Sequence, residues 1–179
     1  PIDESVALFA DPTAPAGGDG SRDAPFATLS DALAAATGSG KRVFACSAHG
    51  PFAESLTLTD HALSLWGGFD CTAGAWAFDP SLPTELSGSA TAITVDGAAE
   101  VELAHLLVTA ADASEAGGSS VALFVRGAEG LSLRSVSLRS GRGADGRDAI
   151  PGSDPSRAFA FPDATDLVGG AGRVAGGGD

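Results

Sequence analysis

An internal repeat is the feature that most constrains how this 179-residue chain can fold. Residues 92–98 read Ala-Ile-Thr-Val-Asp-Gly-Ala, and residues 122–128 read Ala-Leu-Phe-Val-Arg-Gly-Ala. The segments 101–108 and 131–138 follow with matching alternation of apolar and polar residues. Self-similarity at a fixed spacing indicates strand units that stack on one another, because a single unit cannot bury its own apolar face.

The repeat predicts an all-β fold, a right-handed parallel β-helix (solenoid). Each unit holds three short strands, and residues 92–110 are expected to lie directly beneath residues 122–140 in register. A looser third copy runs from residue 56 to residue 65. An antiparallel β-sandwich is the competing interpretation, since it is also built from short alternating strands.

One segment has helical rather than strand periodicity. Asp23 and Pro25 are typical of a helix start, Leu29 and Leu33 recur at helical spacing, and Gly38 is a stop signal. These residues predict a helix over 24–37 that caps the first turn of the solenoid at its N-terminal end.

The domain organisation follows from these patterns. Residues 1–40 are predicted to form an N-terminal strand, a loop and the capping helix, and residues 41–140 the β-helix coils. Residues 141–179 are predicted to be a glycine-rich loop with one strand near 159–161 and a flexible tail.

Charge and hydropathy exclude two classes of partner. The net charge of −13 disfavours nucleic acid and anionic membrane surfaces, because both require clustered Lys and Arg. No apolar run approaches the roughly 20 residues of a membrane-spanning helix. The sequence begins with Pro1 and not with an initiator Met, so the chain is interpreted as the processed form of an exported protein.

Two cysteines, Cys46 and Cys71, allow a disulfide, two buried thiols or half of a metal site. A zinc site needs four close ligands, and the three histidines do not form a spaced pair beside the cysteines. A Cys46–Cys71 disulfide is therefore predicted, which would indicate an oxidising compartment.

Two further groups are candidate binding residues. Asp11, Asp19 and Asp23 lie among glycines and offer oxygen ligands for Ca²⁺, although an ordinary capped turn explains them as well. Trp66 and Trp76 can stack on sugar rings or close a loop over the core. Neither His61 nor His105 is accompanied by a Ser or Cys nucleophile with a third, orienting group, so no catalytic residue is predicted. No cofactor is predicted other than the candidate Ca²⁺.

Two segments carry a family resemblance. Residues 18–33, GDGSRDAPFATLSDAL, resemble the "DGS…PFxTLxxAL" opening of parallel β-helix proteins with the pectate-lyase-like fold, found in secreted bacterial surface proteins and lipoproteins. Residues 66–71, WGGFDC, are similar to a "GGxxC" turn of some members. The resemblance covers roughly residues 6–140 and implies a bacterial protein that is secreted or held at the cell surface.

The departures from that family guide the functional prediction. The enzymes of this fold place carboxylates on neighbouring coils, whereas no Asp pair recurs here at coil spacing, and the chain has no Asn for a turn ladder. The prediction is a non-catalytic, extracellular structural or adhesive module, such as a fibre subunit. Its open C-terminal edge would pair with another chain or another copy, and a glycan is a further candidate partner. The alternative is a carbohydrate-active enzyme, a polysaccharide lyase or hydrolase, or a fragment of one.

Overall fold

A computed structural model describes residues 3–59 and 62–147, which belong to one compact unit up to Gly146. The elements of this part are helix α1 (Leu29–Ala36), one 3₁₀ turn (Thr72–Gly74) and the strands β1 (Ala7–Ala10), β2 (Arg42–Cys46), β3 (Leu56–Thr59), β4 (Leu63–Asp70), β5 (Ala77–Phe78), β6 (Thr84–Gly88), β7 (Thr91–Asp96), β8 (Val101–Ala110), β9 (Val121–Arg126) and β10 (Leu131–Arg139). His61, the strand predicted near 159–161 and the predicted tail lie outside the described residues.

The strands form two sheets. The seven-stranded sheet has the order β1-β2-β4-β8-β10, with β5 added beside β4 and β6 beside β8, and the three-stranded sheet has the order β3-β7-β9. Every pair of described strands is parallel except β4 with β5. An antiparallel sandwich is therefore not the architecture.

The prediction of an all-β right-handed parallel β-helix with an N-terminal capping helix is wrong. The described chain is α/β-like: mostly parallel strands form two sheets of unequal size, and a single helix packs with them. The apolar side of α1, which includes Leu29 and Leu33, belongs to the main core and contacts β1, β2 and β4. The repeat specifies which strands are neighbours, but the arrangement of sheets and helix depends on how their apolar faces are buried against one another.

The register between the two repeat copies is the one that the sequence alignment indicates. Ile93 of β7 lies beside Leu123 of β9, and Leu103 of β8 lies beside Leu133 of β10. The segments predicted as separate strands are joined, since β8 and β10 each continue through one residue with left-handed backbone. These residues are His105 (φ 53°) and Ser135 (φ 52°).

Two apolar clusters lie on opposite faces of the first strands. Leu8 and Ala10 of β1 point into the main core, which both sheets and α1 share, while Ala7 and Phe9 point into a second cluster. We call the second one the aromatic cluster; its buried members are Ala7, Phe9, Phe44, Cys46, Phe69, Cys71 and Trp76.

Helix α1 begins later than the sequence predicted. Thr28 is the N-cap, and its hydroxyl oxygen accepts a hydrogen bond from the Asp31 amide at 3.0 Å. The Glu54 carboxylate accepts bonds from the amides of Leu29 (2.6 Å) and Ser30 (3.0 Å), the favourable place for an anion at a helix N-terminus. Pro25 precedes the helix in the loop beside β1. Among the described residues, no helix combines the length and the apolar character that crossing a lipid bilayer requires.

Candidate functional site

The last strand of each sheet forms an open edge. In the described part of the chain, no strand pairs with the outer side of β9 or of β10. We call these two strands together the C-terminal edge. The outer backbone N–H and C=O groups of such strands are available to pair with a further strand.

The side chains of the C-terminal edge are apolar but incompletely covered. Val125 is 42% exposed, and Leu133 and Leu138 are each 43% exposed. Their register partners one strand further in are Val95, Leu103 and Val108, and each of those is at most 1% exposed. The same inward positions are thus sealed in β7 and β8 and open in β9 and β10.

The edge also concentrates positive charge in an acidic protein. Five of the ten Lys and Arg residues lie between residues 121 and 147, whereas only two of the 23 acidic residues do. On β10, Arg134 and Arg139 alternate with the inward-facing leucines and stand on the outer face. Strand β10 is therefore apolar on one face and basic on the other.

Two of these arginines are tied to the preceding strands. Arg126 Nε donates to Asp96 Oδ1 at 3.0 Å, and its Nη2 bonds the other carboxylate oxygen. The Arg126 guanidinium holds the pKa of Asp96 below its ordinary value, and the carboxylate raises the pKa of Arg126 in return. Arg134 Nε lies 3.2 Å from Glu102 Oε1.

Trp66 lies on the outer face of the seven-stranded sheet, half-buried, among charged groups. Its indole Nε1 donates to Glu102 Oε2 at 3.1 Å, and the Arg42 guanidinium sits 5.7 Å from its ring centroid. A cleft of about 430 Å³, lined in part by Lys41, Arg42 and Glu102, adjoins it. Arg42 already occupies one face of the indole on which a sugar would stack.

Trp76, the second predicted sugar-stacking residue, lies in the aromatic cluster. It is 3% exposed, and its ring packs edge-on against Phe9 with centroids 4.7 Å apart. In this structure its packing is that of a core residue, and a sugar ring has no access to it.

The two cysteines lie together at the margin of the aromatic cluster. Cys46 and Cys71 are at disulfide distance, with Cα atoms 5.4 Å apart, and both are buried. His49 Nδ1 lies 3.3 Å from Cys71 Sγ and 2.8 Å from Asp11 Oδ2. A carboxylate, an imidazole and two sulfurs therefore converge at one point, with all four ligand atoms within 4.8 Å of one another.

Asp11 is held in place by its own turn. Its Oδ1 accepts hydrogen bonds from the Thr13 amide at 2.9 Å and the Thr13 hydroxyl at 2.8 Å. Burial acts to raise the pKa of Asp11, but the bonds from Thr13 and His49 outweigh it, so the pKa lies below its ordinary value. Asp11 is therefore an ionised acceptor beside the imidazole and Cys71.

Sequence reasoning missed His49 as a member of this group. The spacing Cys46-x-x-His49 was the available signal, but the contacts with Asp11 and Cys71 span 38 and 22 residues of sequence. The structure does not bring Asp19 and Asp23 to Asp11: the only converging group of candidate metal ligands in the described chain contains neither of them. Asp19 instead accepts a bond from the Ser21 amide, and Asp23 is exposed.

No protein-family model, curated protein or solved structure matches this chain.

Proposed function

We propose that this protein is a binding module with a structural or adhesive role, and that its C-terminal edge receives an extended segment of another protein chain. The exposed inward positions of β9 and β10, register copies of sealed positions in β7 and β8, are the observation that carries the proposal. An added strand would bury the same kind of side chain at the next position of the ladder.

The charge of the edge indicates the partner. Arg134 and Arg139 stand on the outer face of β10, and only Arg134 faces a carboxylate of the preceding strand, Glu102. A segment paired beside β10 therefore gains most if acidic residues, one of them beside Arg139, alternate with apolar ones. A second copy of this chain fits less well. Its own C-terminal edge carries the same arginines, and its β1 edge is already hydrogen-bonded to a loop, as when Phe9 donates to the Gly20 carbonyl at 2.9 Å.

The test uses labelled peptides of nine residues, the length of β10. One peptide alternates Leu and Glu, a second alternates Leu and Lys, and a third carries central prolines that remove backbone donors. Fluorescence anisotropy with the full chain should show binding of the Leu/Glu peptide alone, weakening as salt is added.

Matched variants locate the interaction. Leu133→Asp should raise the Kd of the Leu/Glu peptide at least about tenfold, or 1.4 kcal/mol. Val6→Asp changes an apolar residue away from the edge that is more exposed than Leu133, at 55%, and should leave the Kd unchanged. Equal binding of the Leu/Glu and Leu/Lys peptides would overturn the proposal. So would self-association of the chain that Leu133→Asp abolishes, since the partner would then be a second copy.

We further propose that Cys46 and Cys71 form a disulfide and that the protein is secreted or held at a bacterial surface. The disulfide distance of the buried pair supports the first statement, and oxidised cysteines are typical of exported proteins. Under denaturing conditions, alkylation without reductant should label neither cysteine, and alkylation after reduction should label both. Labelling without reductant would contradict the bond.

The alternative of a carbohydrate-active enzyme depends on the cleft beside Trp66. Two carboxylates line that cleft, Glu100 and Glu102, and the one beside Trp66, Glu102, is engaged on both oxygens, by Trp66 Nε1 and by Arg134. A carboxylate held in this way is suited to orienting neighbours rather than to exchanging protons. The geometry therefore favours the binding role.

A further inference from the structure

Asp11, Cys46, His49 and Cys71 lie close enough together to act as a group when the two cysteines are reduced. We propose that, when the two cysteines are reduced, these four side chains bind one Zn²⁺ through Asp11 Oδ2, His49 Nδ1 and the two sulfurs. The inference is independent of the proposed role of the C-terminal edge, because the cluster lies at and just after the ends of β1, β2 and β4.

The donor set fits zinc. Zn²⁺ takes four ligands in a tetrahedron from Cys sulfur, His nitrogen and carboxylate oxygen, and two thiolates favour it over harder ions. Its bond lengths of about 2.0–2.3 Å place neighbouring ligand atoms roughly 3.3–3.8 Å apart. Cys71 Sγ lies 3.3 Å from His49 Nδ1 and 3.8 Å from Asp11 Oδ2, so two edges of that tetrahedron already exist.

Two distances must change to complete the tetrahedron. Once reduced, the two sulfurs must separate, and the 2.8 Å contact between His49 Nδ1 and Asp11 Oδ2 must open by about half an ångström to reach the ligand spacing of a tetrahedron. Nδ1 would then give its lone pair to the metal and carry no proton, leaving the ring proton on Nε2.

The surroundings have the features of a supported metal site. Thr13 donates both its amide and its hydroxyl to Asp11 Oδ1, which fixes the carboxylate and keeps Oδ2 directed towards His49 and Cys71 as the oxygen that a metal would take. The aromatic cluster shields the two sulfurs on one side. The His49 side chain is 33% exposed, which gives an ion a route in from solvent.

The chemistry balances with an external dithiol as reductant. The dithiol supplies two electrons and two protons, the bond between the Cys46 and Cys71 sulfurs breaks, and the reductant closes its own disulfide. Binding of Zn²⁺ then releases the two thiol protons to solvent as two zinc–sulfur bonds form. An external disulfide can act as the oxidant for the reverse step: it accepts two electrons from the two thiolates and two protons from solvent and becomes a dithiol, the bond between the Cys46 and Cys71 sulfurs re-forms, and the ion is released.

The test uses Co²⁺ as a coloured probe on the full chain, after reduction and removal of excess reductant. The reduced protein should bind one Co²⁺ with the absorption of a tetrahedral cobalt thiolate, and Zn²⁺ should displace it and abolish the colour. The oxidised protein should bind none. Asp11→Asn and His49→Ala should each weaken the affinity at least about tenfold, in the range that loss of metal-site groups produces. Asp19→Asn, the same change outside the cluster, should not.

Each other outcome counts against the site. Absence of the cobalt–thiolate absorption in the reduced chain would overturn it, and so would equal weakening by Asp11→Asn and Asp19→Asn. Where circular dichroism shows that reduction unfolds the chain, Zn²⁺ must restore the folded signal in the unsubstituted protein and fail to do so in His49→Ala. A chain that stays unfolded with Zn²⁺ present would overturn the proposal equally.

Discussion

The first and last strands of the seven-stranded sheet, β1 and β10, are both edge strands, but they differ in what covers their outer sides. The outer side of β1 is covered by the loop ahead of α1, since the Phe26 amide donates to the Phe9 carbonyl at 2.9 Å and the Asp11 backbone amide donates to the Phe26 carbonyl at 2.8 Å. The outer side of β10 has no strand beside it in the part of the chain that the structure describes. The two edges of this sheet therefore differ: a local loop blocks the β1 edge, whereas the β10 edge presents apolar and basic side chains with no described strand beside it.

The largest expected effect is a difference in unfolding free energy between truncations of two neighbouring leucines, Leu103 and Leu133. Leu103→Ala removes a side chain that is 1% exposed and should cost about 2–5 kcal/mol of unfolding free energy, because it leaves a cavity between the sheets. Leu133→Ala truncates its 43% exposed neighbour and should cost less than about 1 kcal/mol. Urea unfolding of both variants at the same protein concentration measures the difference.

Equal costs for the two leucines would break the comparison, because they would mean that something covers Leu133 in solution. A cost at Leu133 that grows with protein concentration would identify a second copy as the cover. A cost at Leu103 below about 1 kcal/mol would contradict the sealed core itself.

The next effect concerns the loop that blocks the β1 edge. A methyl group at Gly18 would meet the Ala24 carbonyl oxygen at 2.6 Å and press against the backbone of Pro25, so Gly18→Ala must displace the loop. We expect a loss of about 1–3 kcal/mol, the usual cost of overpacking against atoms that cannot move aside. Gly146→Ala is the control, since a methyl group there meets nothing within 4 Å. Thermal unfolding of both variants provides the measurement, and equal melting temperatures would show that the loop is not held as described.

The strand order could be predicted from the sequence because the two copies of the repeat match both in spacing and in which positions are apolar. Ile93 and Leu123 share an inward position, and a shift by one residue would have turned the whole apolar face outward, which fixes the register. The repeat extends into the loops, where Arg142 donates its amide to Asp112 Oδ1 at 2.7 Å. Local alternation therefore specified neighbours correctly while leaving the architecture undetermined.

What the sequence did not reveal depends on contacts with no local signature. β5 is two residues long and exposed, and β6 joins the second half of β8, after the bend at His105. The predicted helix began too early because Pro25 is typical of the first turn of a helix. In the structure, residues 20–26 instead form the loop that covers β1. His49 is distant in sequence from Asp11 and Cys71, so only the tertiary structure shows that they meet.

The smallest expected effect concerns the ion pair that links β9 of the C-terminal edge to β7. Asp96 on β7 binds Arg126 on β9, and this partner lowers the pKa of Asp96 below its ordinary value of 3.8. A lowered carboxyl pKa in the folded state stabilises the protein above the unfolded pKa, and this contribution is lost as the pH falls through the folded value. Asp96→Asn should therefore lower the melting temperature slightly at neutral pH, and its difference from the unsubstituted protein should shrink below about pH 4.

Salt provides the second control on that pair, because both side chains face solvent and exposed ion pairs contribute little once screened. The Asp96→Asn difference should diminish in high salt, and Glu129→Gln, at an exposed position on the following turn, should show no comparable difference at any pH. A difference that persists in acid and in high salt would mean that Asp96 stabilises β7 by itself. The edge strand β9 would then be held without a contribution from the ion pair, by its backbone ladder with β7 and by the packing of Ala122 and Leu123 against the main core.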